Sequence, residues 1–238
     1  MNRAEFFDQV RSGLFGGRLS QGQVTGIEGL LAAWEIDGDG DFENFAYVLA
    51  SVHHETGRRM VPVREGFAAS DAEARRIVAG RRYGKPVPPH GHVYYGRGPI
   101  QLTWADNYRA AARDLGIDLF GNPDLALDPV IGARLAVRGI LDGRWNARGK
   151  GIKFYLRGPG ADDDDLQGAR RTVNVTDRWQ TVAGYYRGYR AALLASGYGA
   201  AVPAPEEPPE WMAAARRLAE WRAREPAGAL DWMKEMPT

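Results

Sequence analysis

Cysteine is absent from all 238 residues. That excludes a disulfide framework and thiolate metal sites, and it fits a chain folded in a reducing compartment. Charge of one sign is not in excess either: 31 Lys and Arg stand against 30 Asp and Glu, a formal net charge of +1. No basic field marks the chain for nucleic acid, which is not expected as a partner. No apolar run reaches the length of a membrane helix. The opening MNRAEFFDQV is charged and lacks the apolar centre of a secretion signal, so the expectation is a chain made in the cytoplasm. What is present is ordinary for a globular protein: 44% hydrophobic residues, enough chain for one sizeable core and an appendage.

The stretch that organises the chain runs from Phe45 to Tyr108. Phe42, Phe45, Ala46, Leu49 and Val52 recur at three- and four-residue spacing, the apolar stripe of an amphipathic helix. Asp41 suits its N-cap and Gly57 its stop. Glu55 lies three residues beyond Val52 and so extends the apolar stripe. A carboxyl placed there loses hydration, which favours its protonated form, as a general acid requires. Glu65 is the nearest second carboxyl, on a loop or short strand after Pro62, exposed beside Arg64 and expected to stay ionised. Glu73 is its rival, in an Ala- and Arg-rich helix capped by Ser70. Two carboxyls in different environments are what glycoside hydrolysis usually needs. The competing reading makes Glu55 a helix-end acid paired with Arg58 or Arg59, and Glu65 a surface acid.

The run Tyr94 to Thr103, YYGRGPIQLT, has the makings of a binding loop. Its tyrosines suit stacking on sugar faces, or else fill the core. Its glycines let backbone approach a ligand. Gln101 and Thr103 offer hydrogen bonds, and a Thr hydroxyl can hold a water. Asn107 falls one helical turn after Thr103 in a helix expected over 103–115.

No metal is expected. Asp37 to Asp41 has the look of a calcium loop, but the sixth position is Phe42 and the twelfth Val48, where Gly and Glu are required. A solvated turn is expected instead. His53 and His54 lack the i, i+4 partner of a helical zinc site, so one is expected to neighbour the acid or to pack. The four aspartates of 162–165 read as a solvated loop and helix start. Further helices are expected over 2–11, 20–34, 129–145, 166–173 and 179–194. Arg81, Arg82 and Lys85 lie in a Pro/Gly-rich loop beside the presumed cleft, placed to meet an anionic polymer or merely solvated. VPAPEEPP is expected to make a stiff linker over 201–209. The helical tail at 210–238 is expected to dock on the domain, with a partner or membrane-surface contact as alternatives.

Taken together, HETG, then YYGRGPIQLT with Asn107-Tyr108, NPDLALDP and Arg171 to Asn174 resemble glycoside hydrolase family 19, the chitinase-like group that includes phage and prophage endolysins. The resemblance spans roughly residues 1 to 198. It implies a mainly α, lysozyme-like fold of the α+β lysozyme superfamily, filling residues 1–200, with a cleft between two helical lobes. It implies an inverting mechanism without cofactor, acting on peptidoglycan or a chitin-like polysaccharide, by a monomer. By the same likeness Glu55 is the general acid, Glu65 the second acid, and Thr103 the holder of the attacking water. Tyr95, Gln101, Asn107 and Asn174 match substrate-contacting positions. Plant-type chitinases of this family carry cysteines and a longer insertion between the two acids. Lacking both, this chain resembles the endolysin branch, whose members reach the wall after release from the cytoplasm. A wall-binding protein without catalysis, or a scaffold built on the tail, are the readings from other classes.

Overall fold

Side-chain caps open the helices close to where the sequence places them. The computed structural model describes residues 1–146, 149–158, 160–174 and 176–199. The expected linker and helical tail lie outside the described residues. Helix α1 (Arg3–Leu14) starts at Asn2, whose side chain accepts from the Glu5 N–H. Helix α2 (Gln21–Asp37) starts at Ser20 with a reciprocal capping box to Gln23. Asp41 caps helix α3 (Phe42–Glu55). A short strand, β1 (Val63–Arg64), precedes helix α4 (Asp71–Val78), capped by Ser70. Strand β2 (Arg97–Gly98) pairs antiparallel with β1, Val63 opposite Gly98 and Arg64 opposite Arg97. Helices α5 (Ala105–Leu115), α6 (Pro129–Asp142), α7 (Asp163–Arg170) and α8 (Trp179–Ala195) complete the described residues. The aspartate run does begin a helix, with Asp162 and Asp165 forming its capping box.

The mainly helical expectation holds, and two lobes are visible in the packing. One core joins α1, α2, α3, α6 and α8 through residues such as Phe6, Leu30, Phe45, Val137 and Tyr189. A second gathers Tyr94, Leu102, Tyr108, Ala111 and Leu119 around α5. Helix α3 lies deepest, with every residue from Glu43 to His53 buried. A helix enclosed all round is a core element rather than an amphipathic cover. Its one buried acid, Glu43, is met by Arg190 at 2.9 Å and by the Tyr186 hydroxyl. Among the described residues no helix is long and apolar enough to cross a membrane.

Two local expectations fail. Asp37 is not on a solvated turn: its side chain is 3% exposed, and Arg134 and Arg138 of α6 both bond it at 2.7 Å. The acid ties α2 to α6, which sequence distance hid. Thr103 and Trp104 precede α5 rather than opening it, because Trp104 takes a left-handed φ of 75°.

Candidate active site

Glu55 ends α3, and its side chain keeps 17% of its exposure. Arg170, on the last turn of α7 and 1% exposed, donates from Nη1 to Glu55 Oε1 at 2.7 Å. Arg170 Nε donates to the Asp177 carbonyl at 2.9 Å, which fixes the guanidinium plane. The carboxyl expected to lose hydration on the apolar stripe is mostly enclosed, but against a buried cation, and the expectation of an apolar setting is therefore corrected. So is the competing pairing with Arg58 or Arg59: Arg58 donates to the Leu14 carbonyl, and Arg59 lies over the Phe67 ring. Of the two histidines, His53 packs: fully buried, it stacks on Tyr185 at 4.0 Å and bonds the Tyr189 hydroxyl through Nδ1 at 3.0 Å. Burial first, and then Arg58, pulls its titration down to about 3, so it is neutral. His54 neighbours the acid; burial holds it below the usual imidazole range, and Glu55 pulls the other way.

Glu65 sits where β1 runs into a 3-10 turn, Glu65–Phe67. It is half-buried and held by two donors, the Tyr83 hydroxyl on Oε1 at 2.6 Å and the Gly96 N–H on Oε2 at 2.9 Å. Its own N–H donates to the Gly96 carbonyl at 2.7 Å. The expected exposed acid beside Arg64 is thus replaced by an oriented one, since Arg64 turns away to Asp124 at 3.0 Å. Burial, and next the bond to Glu65, pushes the Tyr83 phenol up to about 12. The rival Glu73 accepts from the Ala69 N–H at 2.8 Å, so its carboxylate serves the start of α4.

A cavity of about 240 Å³ opens between the two lobes. Gln101, Thr103, Trp104 and Asn107 line one wall; Ile140, Trp145, Asn146 and Thr172 line the other. Three expected site residues meet here in a chain of hydrogen bonds. Gln101 Nε2 donates to the Val63 carbonyl at 3.1 Å, Thr103 Oγ1 to the Gln101 carbonyl at 2.7 Å, and Asn107 Nδ2 to the Thr103 carbonyl at 2.8 Å. A methyl at Gly96 would lie 2.7 Å from Gln101 Oε1, so this glycine lets Gln101 press on the backbone that holds Glu65. Asn174 is exposed, two residues past the lining Thr172, and its N–H donates to the Arg170 carbonyl at 3.0 Å.

Tyr95 is not at this surface. Its ring is fully buried, Arg97 lies over it at 3.6 Å, and its hydroxyl donates to Asp71 at 3.0 Å. Tyr94 stacks on Phe120. Both tyrosines fill the core. An exposed aromatic of the cavity wall is Trp104, 45% accessible and edge-on to Tyr83 at 5.2 Å. Sequence reasoning missed it, along with Arg170, Tyr83 and Trp145. A tryptophan directly after Thr103 was a signal; the partners of the two acids had none, being distant in sequence. Among the described residues no cluster of His, Asp and Glu is arranged to hold a metal.

Residues 35–142 match the model of glycoside hydrolase family 19, chitinase class I. Chitinase 11 of Oryza sativa subsp. japonica is 27% identical over 230 residues, covering 84% of this chain and 87% of that one. Inactive chitinase-like protein 1 of Hevea brasiliensis is 33% identical over 137 residues, 49% of this chain and 43% of that protein. The chain spans less than half the length of several curated relatives it matches. The solved class IV chitinase of family GH19 from Zea mays superposes with a TM-score of 0.51 at 20% identity, over 79% of this chain and 92% of that one, a likeness of fold.

Proposed function

We propose that this chain, a member of glycoside hydrolase family 19 matched over residues 35–142, cleaves glycan strands internally with inversion, and that its polymer is bacterial peptidoglycan. The observation that carries the reading is a pair of carboxyls held in different ways, Glu55 by Arg170 and Glu65 by Tyr83 and by the Gly96 backbone against which Gln101 of the cavity wall packs. Glu55 has Oε1 tied to Arg170, which leaves Oε2 to protonate the leaving glycosidic oxygen. Glu65, oriented by Tyr83 and Gly96, accepts a proton from water as that water attacks the anomeric carbon from the opposite face. The Thr103 hydroxyl spends its proton on the Gln101 carbonyl and keeps lone pairs for the same water. Gln101, Asn107 and Asn174 bind the sugars, and Trp104 offers a face for stacking.

Chitin is the second reading, favoured by relatives that carry the name chitinase. The wall polymer is preferred on two features of this chain: no cysteine, and nine residues between Glu55 and Glu65, without the insertion of plant-type members. Mass analysis of products from purified walls and from chitin tests the choice. Muropeptide fragments from walls support the proposal; release from chitin alone refutes the peptidoglycan assignment. A wild-type protein that binds both and cuts neither would place it with the inactive relatives.

A further inference from the structure

A second cavity, of about 370 Å³, lies beside strand β1. Val61, Pro62, Val63, Phe67 and Leu127 make its apolar lining, with Arg59 and Arg64 as its charges. The two cavities share one piece of backbone, since Gln101 of the first donates to the carbonyl of Val63 in the second. Glu65 stands between Arg64 and Phe67 in sequence.

The two arginines differ. Arg64 is paired with Asp124, which it shares with Arg97. Arg59 is exposed, has no acidic partner among the described residues, and rests over the Phe67 ring at 4.2 Å. Phe67 is itself 49% exposed. Backbone strain is concentrated here: Arg58, Met60 and Phe67 all hold left-handed φ of 57–69° without being glycine. Such conformations persist where the surroundings enforce them, and they cluster at binding sites. Gly57 completes the arrangement, because a methyl there would lie 2.9 Å from the Phe67 ring and 3.2 Å from Arg59 Nη1. The backbone is thus shaped to lay a cation and an aromatic ring side by side, facing solvent, next to an apolar hollow.

We propose that this second cavity binds a carboxylate-bearing acyl-peptide substituent of the glycan, with Arg59 taking the carboxylate and the Phe67–Val61 wall taking its methyl groups. Chitin carries no such substituent; the glycan of a bacterial wall does. The inference deepens the peptidoglycan reading above and rests on it. A guanidinium and a carboxylate form strong, planar hydrogen bonds, and an arginine already stacked on a ring loses little freedom in making them.

The test is titration of the full chain with N-acetylmuramoyl-L-alanyl-D-isoglutamine, followed by amide and arginine Nε–H shifts, beside wall digestion. Shifts at Arg59 and Phe67, with binding about tenfold weaker in Arg59→Gln and partly restored in Arg59→Lys, support the site. Arg59 is exposed and its side chain forms no ion pair among the described residues, so an unchanged melting curve is expected and checks the fold. No binding to wild type, or equal binding to Arg59→Gln, overturns the inference whatever the digestion gives. Failure to digest walls refutes the peptidoglycan reading, whatever the titration gives.

Discussion

Arg170 and Glu55 join across 115 residues of sequence, Nη1 to Oε1 at 2.7 Å, with the arginine almost completely enclosed. One carboxyl oxygen is thereby immobilised and the other left for chemistry. Replacing Glu55 with Gln should keep glycan binding and lower turnover by about 10²–10⁴-fold, the range for loss of a positioned acid. Initial rates and a binding isotherm on the same polymer check this. Arg170→Lys keeps the charge but not the planar fork, so a smaller fall in turnover is expected, with unchanged affinity.

Tyr83 is the other orienting group. In Tyr83→Phe the 2.6 Å bond to Glu65 is gone while the Gly96 N–H still holds the second oxygen. Turnover should fall about tenfold, as for loss of one hydrogen bond to a charged group. KM should stay near the wild-type value. A variant with wild-type turnover would remove Tyr83 from the site.

For Tyr95 the expected effect is on stability alone. Tyr95→Phe deletes the buried hydroxyl that donates to Asp71 and should cost about 1–2 kcal/mol in urea unfolding. Substrate affinity should not move. A weakened affinity at full stability would return Tyr95 to the sugar-binding surface.

His53 sets an acid limit on the fold. Its folded form titrates near 3, below the ordinary imidazole value near 6.5, so the unfolded chain binds the extra proton between these values. Stability from this group is complete above 6.5 and is lost as pH falls toward 3. Between pH 7 and pH 5 the loss should be about 2 kcal/mol. Urea midpoints at the two pH values measure it, and His53→Phe should flatten the dependence.

Much of this was legible locally. Ser20, Asp41 and Ser70 announce helix starts by their own side chains, and the α3 stripe predicts where Glu55 falls. Periodicity shows which face of an element turns inward, but not which distant polar group waits there. Asp37 looked like a turn residue because its partners, Arg134 and Arg138, are 97 and 101 residues away. Arg64 was set beside Glu65 by sequence adjacency, yet strand pleating sends neighbouring side chains to opposite faces, and it reaches Asp124. The tyrosines of YYGRGPIQLT were open between sugar stacking and core packing; only the location of Arg97 and Phe120 decided it.

Helix α3 has no solvent face between Glu43 and His53. An element boxed in on all sides can neither turn about its axis nor slip lengthwise without breaking its neighbours' packing. Glu55 projects from the end of that rod, so its coordinates are as stiff as the core itself. Saturation mutagenesis should therefore find the eleven positions from Glu43 to His53 nearly as intolerant as the acid, since all of them are buried.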